Sequence, residues 1–143
     1  MSGIPPSTEP VPVVAAVICR DGRYLLGRRP PNKRHGDLWE FPGGKVKAGE
    51  SRLDAVRREL REELGLHVAT LGELLFSIRD PGAPFVIEFV EADASGEPQA
   101  HEHTRVGWFA AGELARLALA PADALFAQRL LGEAGDPGES GGV

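Results

Sequence analysis

Cysteine is almost absent from this sequence, which contains Cys19 and no other. A single cysteine excludes an internal disulfide framework and any zinc site built from several cysteines. Long hydrophobic runs are missing as well, because no apolar segment approaches the roughly 20 residues that a membrane-spanning helix needs. The residues after Met1 also lack the basic and then apolar pattern of a secretory signal. We therefore expect a soluble, cytoplasmic protein without a membrane partner.

Positive charge is in deficit. The 16 lysines and arginines are outnumbered by 21 aspartates and glutamates, which gives a net charge of -5. Proteins that bind nucleic acid polymers through their phosphates usually carry the opposite charge, so we expect no polymeric nucleic acid partner. An acidic protein that acts on a small anionic substrate would need a metal ion to bridge the like charges.

The length of 143 residues predicts a single domain, which is enough to bury roughly two-thirds of the unfolded surface. Residues 1–12 are rich in proline and are predicted to form a disordered leader. The folded domain is predicted over residues 13–131, and the glycine-rich residues 132–143 are predicted to form a disordered tail.

The first half of the domain is predicted to contain a hairpin and a long loop. Residues 13–19 are almost continuously apolar, and the turn pair Asp21-Gly22 precedes a second apolar run at residues 24–26, a pattern typical of a hairpin whose first strand is buried. Residues 30–49 are predicted to form a functional loop. The mixture of strands and helices predicts a mixed sheet packed between helices. Other strands are predicted over residues 71–78, 85–90 and 106–109, and other helices over residues 113–117 and 123–131.

One helix is indicated by three independent signals. Ser51 followed by Asp54 is a capping-box-like start, and Gly65 is a natural stop. Between them apolar residues recur at helical spacing. These apolar residues are Leu53, Val56, Leu60 and Leu64.

Three carboxylates lie between residues 57 and 65 of this helix, and two of them, Glu59 and Glu63, share one face. Such a cluster is stable when it is solvated, paired with arginines or balanced by a cation, and Mg²⁺ is the hard cation that carboxylates and phosphates bind together. A solvated face paired with neighbouring arginines is the alternative. The glycine pair Gly43-Gly44 just upstream favours the cation, because paired glycines let backbone groups approach a ligand closely. The third carboxylate is Glu62.

Two other motifs are excluded by single residues. Gly44-Lys45 resembles the end of a phosphate-binding P-loop, but Val46 stands where Ser or Thr is required, and Trp39 stands where the first glycine belongs. The run that begins at His101 does not form a zinc-binding His-Glu-x-x-His motif, because Arg105 replaces the second histidine.

A resemblance to a known family is carried by residues 44–66. Gly44 is followed after five residues by Glu50 and, after seven more, by the run Arg58-Glu59-Leu60-Arg61-Glu62-Glu63-Leu64-Gly65-Leu66, which resembles the complete signature of the Nudix hydrolases. The resemblance to the MutT-like branch extends over residues 13–131. It includes Arg28-Arg29, the run Trp39-Glu40-Phe41-Pro42-Gly43-Gly44-Lys45, Glu102 ahead of Trp108, and Pro121-Ala122-Asp123.

The resemblance implies an α/β fold, an α/β/α sandwich around a mixed sheet, and a magnesium-dependent hydrolase, with manganese as the alternative cation. It implies that Glu59 and Glu63 bind the metal together with the carbonyl of Gly43, and that Glu62 binds the metal or lies next to it. Arg58 would hold the acidic cluster in place. Glu50 would pair with an arginine such as Arg58 instead of touching the substrate.

The resemblance also implies a role for Glu102, which would bind metal or help to activate water. Without the family pattern, the run from His101 to His103 would be interpreted as an exposed loop or strand edge, and we expect function only for Glu102. Of the substrate-binding candidates, Arg29 resembles a position that contacts the nucleotide. Asp123 resembles a position that binds the base edge, with helix capping as the alternative. Lys45 either contacts phosphates or is a solvated lysine.

The resemblance implies hydrolysis of a nucleoside diphosphate linked to another group. Together with the complete signature, Arg29, Glu102 and Asp123 lead to the working hypothesis that nucleoside triphosphates are cleaved to nucleoside monophosphate and pyrophosphate, with 8-oxo-dGTP or another modified or ordinary dNTP as the substrate. One alternative is a Nudix hydrolase of a nucleotide conjugate such as ADP-ribose, NADH or a dinucleoside polyphosphate. The other is an inactive nucleotide sensor or interaction module. We expect a monomer, with a dimer as the alternative.

Overall fold

The computed structural model describes residues 10–80 and 83–142, with side chains as far as residue 132. None of the helices in these ranges combines the length and hydropathy of a membrane span. The elements in chain order are β1 (Val11–Val17), β2 (Cys19–Arg20), β3 (Arg23–Arg28), β4 (Trp39–Glu40), β5 (Gly43–Lys45), α1 (Arg52–Leu64), β6 (His67–Arg79), β7 (Phe85–Ser95), β8 (Arg105–Ala110), α2 (Ala111–Leu114) and α3 (Pro121–Gly142).

The strands form two sheets. The first has the order β5-β1-β7-β6, and it is mixed because β1 and β7 are parallel whereas the other pairs are antiparallel. In the second sheet β3 lies between β2 and β4, and β8 also pairs with β3. The prediction of an α/β fold with a mixed sheet is confirmed.

Strand β1 supplies side chains to two hydrophobic cores, because successive residues of a strand point to opposite faces. Val14 and Ala16 pack with the apolar face of α1, whereas Ala15 and Val17 pack in a second, aromatic core that includes α3. Helices α1 and α3 therefore cover opposite faces of the strand. The aromatic core contains Phe41, Phe89 and Phe126, with ring centroids 4.4–5.8 Å apart.

The turn at Asp21 and Gly22 is confirmed, but the strand before it differs from the prediction. Both turn residues have positive φ, 53° and 77°, which suits a two-residue hairpin turn. The hairpin is formed by β2 and β3, whereas β1 belongs to the other sheet. The predicted strand over residues 13–19 is interrupted at Ile18, where the chain passes from the first sheet to the second.

Helix α1 begins and ends where the sequence predicts. The Ser51 hydroxyl accepts a hydrogen bond from the Asp54 amide at 3.0 Å. Gly65 adopts the left-handed conformation, with φ of 68°, and its N–H donates to the carbonyls of Arg61 and Leu60. These caps satisfy backbone groups that a helix leaves unpaired at its two ends.

Several predicted boundaries differ from the structure. Of the predicted leader, residues 1–9 lie outside the described residues, whereas Val11 and Pro12 belong to β1 and pair with β7. The predicted loop at residues 30–49 contains the short strands β4 and β5, because backbone pairing with β3 and β1 overrides a loop-like composition. Strands β6 and β7 extend beyond the predicted ranges. The predicted tail overlaps the end of α3, and its side chains from residue 133 onward are outside the described part, so this boundary stays a prediction.

Candidate active site

Helix α1 turns two of the three carboxylates in its second half toward the fold. Glu63 is buried with 6% of its surface exposed, because it lies one turn after Leu60 on the inward face of the helix. Glu59 lies one turn before Glu63 and packs against β5. The side chain of Glu62 is 51% exposed, so this carboxylate points to solvent and away from Glu59 and Glu63.

The glycine pair of β5 makes room for Glu59. A Cβ atom on Gly44 would overlap the carboxyl group of Glu59, so no larger residue fits while Glu59 keeps this position. A Cβ atom on Gly43 would overlap the backbone carbonyl of Val14 in β1. Both glycines are therefore needed, because the absence of a side chain lets Glu59 of α1 lie close to Gly44 and the backbone of β1 lie close to Gly43.

Arg58 holds the outer side of this cluster. Its Nε and Nη2 atoms donate to the two carboxyl oxygens of Glu50 at 2.8 and 2.9 Å, and its Nη1 donates to Glu59 at 2.9 Å. The predicted pairing of Glu50 with Arg58 is confirmed. Hydrogen bonding to Arg58 lowers the pKa of Glu50 to about 2, and hydrogen bonding to Glu50 raises the pKa of Arg58 further above its ordinary value.

Glu63 lies in surroundings that suit a cation. Its Oε1 atom is buried and has no hydrogen-bond partner within the described residues. Burial raises the pKa of Glu63 well above its ordinary value, and a hydrogen bond with Glu59 and the charges of Glu59, Glu40 and Glu102 raise it further. Among the described residues no three His, Cys, Asp or Glu side chains are gathered as a complete metal site. The unpaired oxygen and the crowding of like charges nevertheless fit a divalent cation as the missing partner.

Two residues without a predicted role join this cluster. Glu40 of β4 accepts a hydrogen bond from Arg29 Nη1 at 2.9 Å, and its other oxygen lies 2.9 Å from Nε2 of His103. The alternative interpretation of residues 101–103 as an exposed loop or strand edge is wrong for His103, which is buried. One signal for Glu40 was present in the sequence. Side chains alternate between two sides along extended backbone, so an acidic residue between Trp39 and Phe41 points away from both aromatic side chains.

Two adjoining depressions connect these groups. We call the larger one, of about 320 Å³, the main cleft, and the smaller one, of about 180 Å³, the carboxylate cavity. The two share Arg29, Glu40 and Gly43. The carboxylate cavity is also lined by Pro30, Lys33, Glu63, Glu102 and His103, and the main cleft by Gly44, Lys45, Asp123 and others, including residues of the loops that follow β3 and β6.

The three substrate-binding candidates all line the main cleft. Arg29 is held by Glu40 and by the carbonyl of Arg34, to which its Nε donates at 2.6 Å. Lys45 is exposed, and its ammonium group lies 5.0 Å from the centre of the Phe85 ring. Glu102 is exposed and lines the neighbouring carboxylate cavity.

Asp123 is buried at the far wall of the main cleft. Its Oδ2 atom accepts a hydrogen bond from the Phe41 amide at 2.9 Å. Burial raises the pKa of Asp123 to about 8, although the bond from Phe41 acts in the opposite direction. Helix α3 begins at Pro121, so Asp123 lies inside its first turn and does not precede the helix. Helix capping and base binding both stay predictions for this residue.

Comparison with known proteins agrees with this geometry. The model of the NUDIX domain matches residues 9–130. A CTP pyrophosphohydrolase of Escherichia coli is 44% identical over 116 residues, which cover 79% of this chain and 85% of that protein. An 8-oxo-dGTP diphosphatase of Haemophilus influenzae is 35% identical over 125 residues, which cover 84% of this chain and 91% of that protein.

A solved structure is similar over most of its length. The crystal structure of a MutT NUDIX hydrolase from Burkholderia pseudomallei superposes with a TM-score of 0.73 at 34% sequence identity. The superposition covers 84% of this chain and 97% of that one. The similarity therefore extends to the whole arrangement of sheets and helices around the cleft.

Proposed function

Since this chain belongs to the NUDIX family of hydrolases, in its MutT-like branch, we propose that it hydrolyses nucleoside triphosphates to nucleoside monophosphate and pyrophosphate. Two of the relatives compared above are named as a CTP pyrophosphohydrolase and an 8-oxo-dGTP diphosphatase. The proposal adds the class of substrate, the bond that is cleaved and the residues that act on it.

The observation that carries the proposal is the junction between the carboxylate cavity and the main cleft. A triphosphate that enters the main cleft past Arg29 and Lys45 brings its phosphate groups to Gly43 and Glu40, where the two depressions meet. The nucleoside then extends toward Asp123. Acidic groups that would repel this substrate thus stand directly beside the basic groups that would attract it, as metal-assisted phosphate chemistry requires.

The metal would be held where Glu63 and Gly43 line the carboxylate cavity, on the side of the cavity that faces α1. Glu59 and Glu63 are proposed to bind Mg²⁺, or Mn²⁺, together with the Gly43 carbonyl, and Glu62 and Glu102 would approach from the solvent side. When bound, the ion supplies charge neutralisation at the phosphate oxygens and a water of lowered pKa. Arg58 keeps Glu59 in place through its 2.9 Å hydrogen bond, and Glu50 in turn keeps Arg58 in place. We propose that Glu102, which is exposed at the rim of the cavity, accepts a proton from the attacking water.

The remaining substrate contacts come from the main cleft. Arg29 and Lys45 are proposed to contact phosphate oxygens, and the buried Asp123 is proposed to bind the edge of the base. A buried polar group that a wrong base leaves unpaired disfavours that base, so Asp123 is the proposed determinant of selectivity. The names of the relatives support CTP and 8-oxo-dGTP as the substrates to test first.

Steady-state kinetics on a nucleotide panel tests this proposal. With Mg²⁺ present, we expect pyrophosphate release and the highest kcat/KM for a nucleoside triphosphate, and no turnover after chelation of the metal. A higher kcat/KM for ADP-ribose, NADH or a dinucleoside polyphosphate would overturn the choice of substrate class. Absence of turnover on every nucleotide would instead indicate a sensor.

A further inference from the structure

His103 is a buried polar residue that the proposed chemistry does not use. Its side chain is 3% exposed, and its Nε2 atom lies 2.9 Å from Oε2 of Glu40. Because the acceptor is a carboxylate oxygen, Nε2 carries the hydrogen and donates it. The same Nε2 lies 4.0 Å from Oε1 of Glu63, which is too far for a hydrogen bond. The ring is therefore directed to Glu40.

The position of the ring is fixed by β3. A Cβ atom on Gly27 would lie 2.6 Å from the Cγ and Cδ2 atoms of His103, so the imidazole rests directly on the backbone at Gly27. Gly27 is also the register partner of Glu40 in β4. The histidine therefore packs beside the very strand position from which the Glu40 side chain extends, and it has no room to move toward β3.

Glu40 connects this histidine to the main cleft. One carboxyl oxygen of Glu40 accepts from His103, and the other accepts from Arg29 Nη1 at 2.9 Å. With both oxygens engaged, the carboxylate has one orientation, and it presents a fixed acceptor to the Arg29 guanidinium. We propose that His103 is a positioning residue that orients Glu40, and through Glu40 holds Arg29 in place for the substrate.

This inference rests on the proposed function, since it assumes that Arg29 contacts the nucleotide. Loss of the hydrogen bond would free Glu40 to rotate and would leave a buried carboxylate oxygen unpaired. The consequence is expected in substrate affinity, because the groups that hold the metal on α1 do not depend on this bond. His103 thus differs from Glu59 and Glu63, whose removal would affect the chemical step.

The experiment compares three variants with the wild-type enzyme, using CTP and 8-oxo-dGTP as substrates. His103→Leu removes the donor and keeps a side chain of similar bulk. His103→Gln keeps an amide N–H where Nε2 stands. His101→Leu is the matched control, because His101 belongs to the same loop but is exposed. For each protein we would measure kcat, KM, the melting temperature, and by calorimetry the Kd for a CTP analogue with a methylene bridge between the α and β phosphorus atoms.

We expect His103→Leu to raise KM and Kd roughly tenfold or more, with kcat within about threefold of wild type, since a hydrogen bond to a charged group is lost. His103→Gln and His101→Leu are expected to stay within about threefold in every parameter. Unchanged KM and Kd in His103→Leu would overturn the inference. An equal loss in His103→Leu and His103→Gln would also overturn it, because packing alone would then explain the effect, and so would a fall in kcat at constant KM.

Two further measurements keep the result interpretable. If His103→Leu does not fold, His103→Asn replaces it, because the shorter amide reaches the Nδ1 position and not Nε2, and the same rise in KM is expected relative to His103→Gln. Failure of the wild-type enzyme to turn over any nucleotide would contradict the proposed function. Wild-type turnover combined with unaffected variants would contradict the role of His103 alone.

Discussion

The carboxylate cavity and the main cleft each contain a buried carboxyl group, and the two groups differ in what surrounds them. Glu63 lies among other carboxylates, and one of its oxygens has no partner in the described residues. Asp123 lies in the first turn of α3 and accepts a hydrogen bond from the Phe41 amide. Burial is the largest cause of the raised pKa of both groups.

The different surroundings of Glu63 and Asp123 indicate different roles for these two carboxyl groups. Like charges around Glu63 create a deficit of positive charge that a cation can fill, whereas the amide at Asp123 already satisfies part of its acceptor capacity. We therefore expect substitutions beside Glu63 in the carboxylate cavity to alter turnover and metal binding. Substitutions beside Asp123 in the main cleft are expected to alter the choice of substrate. The following predictions are arranged from the largest expected effect to the smallest.

Glu59→Gln should lower kcat by roughly a thousandfold, because the amide keeps the shape of the side chain but removes the charge of a proposed metal ligand. The fold should be retained, with a circular dichroism spectrum like that of the wild type. The matched control is Glu97→Gln, which neutralises an exposed glutamate beyond the end of β7. Near-normal turnover in Glu59→Gln would show that the metal assignment is wrong.

Mg²⁺ should change the pH dependence of stability that comes from Glu63 and not the pH dependence that comes from Asp123. A carboxyl group whose pKa is raised in the folded state holds its proton more tightly than in the unfolded chain, so stability falls as pH rises above the ordinary pKa. The pH range in which stability is lost begins at pH 4.5 for Glu63, and it extends from pH 3.8 to about pH 8 for Asp123.

Melting temperatures between pH 5 and pH 9, with and without Mg²⁺, would check this. We expect the metal-free protein to lose stability as pH rises, and Glu63→Gln and Asp123→Asn each to lose less. Mg²⁺ should abolish the loss of stability that depends on Glu63 and leave unchanged the loss that depends on Asp123. An identical response of both variants to Mg²⁺ would contradict a metal site at Glu63.

Asp123→Asn should change the ratio of kcat/KM for CTP to that for 8-oxo-dGTP by about tenfold. Asparagine keeps an acceptor for the Phe41 amide, so the wall of the cleft stays in place while the group proposed to bind the base changes. The value of kcat for the better substrate should remain within a few-fold of the wild type. A selectivity ratio that does not move would restrict Asp123 to a structural role.

Glu50→Gln should have the smallest effect on activity, lowering kcat by no more than about tenfold, because Arg58 keeps its bond to Glu59. The lowered pKa of Glu50 predicts a stabilising contribution that is present above pH 4.5 and is lost as pH falls toward about 2. Acid unfolding followed by circular dichroism should show this contribution in the wild type and not in Glu50→Gln. A kcat as low as that of Glu59→Gln would mean that Glu50 itself takes part in the chemistry.

Local signals predicted part of the fold well. The caps of α1 depend on Ser51 and Gly65, which act within a few residues of the chain, and they lie where the sequence indicates. The pairing of β1 could not be predicted, because a continuously apolar strand does not specify which strands lie beside it. The break at Ile18 therefore became visible only in the structure, where β1 and β2 belong to different sheets.

The candidate site divides in a similar way. Glu59 and Glu63 share a face of α1 because of their spacing alone, and so they could be placed from the sequence. The contact between His103 and Glu40 joins residues 63 positions apart, and it depends on the space above Gly27, which no short motif encodes. Glu102 and His103 are neighbours in the chain, yet one is exposed and the other buried, because the loop before β8 turns between them.

The two faces of β1 have a practical consequence for engineering. The helix that carries the proposed hydrolytic groups and the helix that carries Asp123 are attached to the same strand from opposite sides, through side chains that do not mix. Libraries that vary the start of α3 could therefore search for new substrate preferences while the machinery for bond cleavage remains constant.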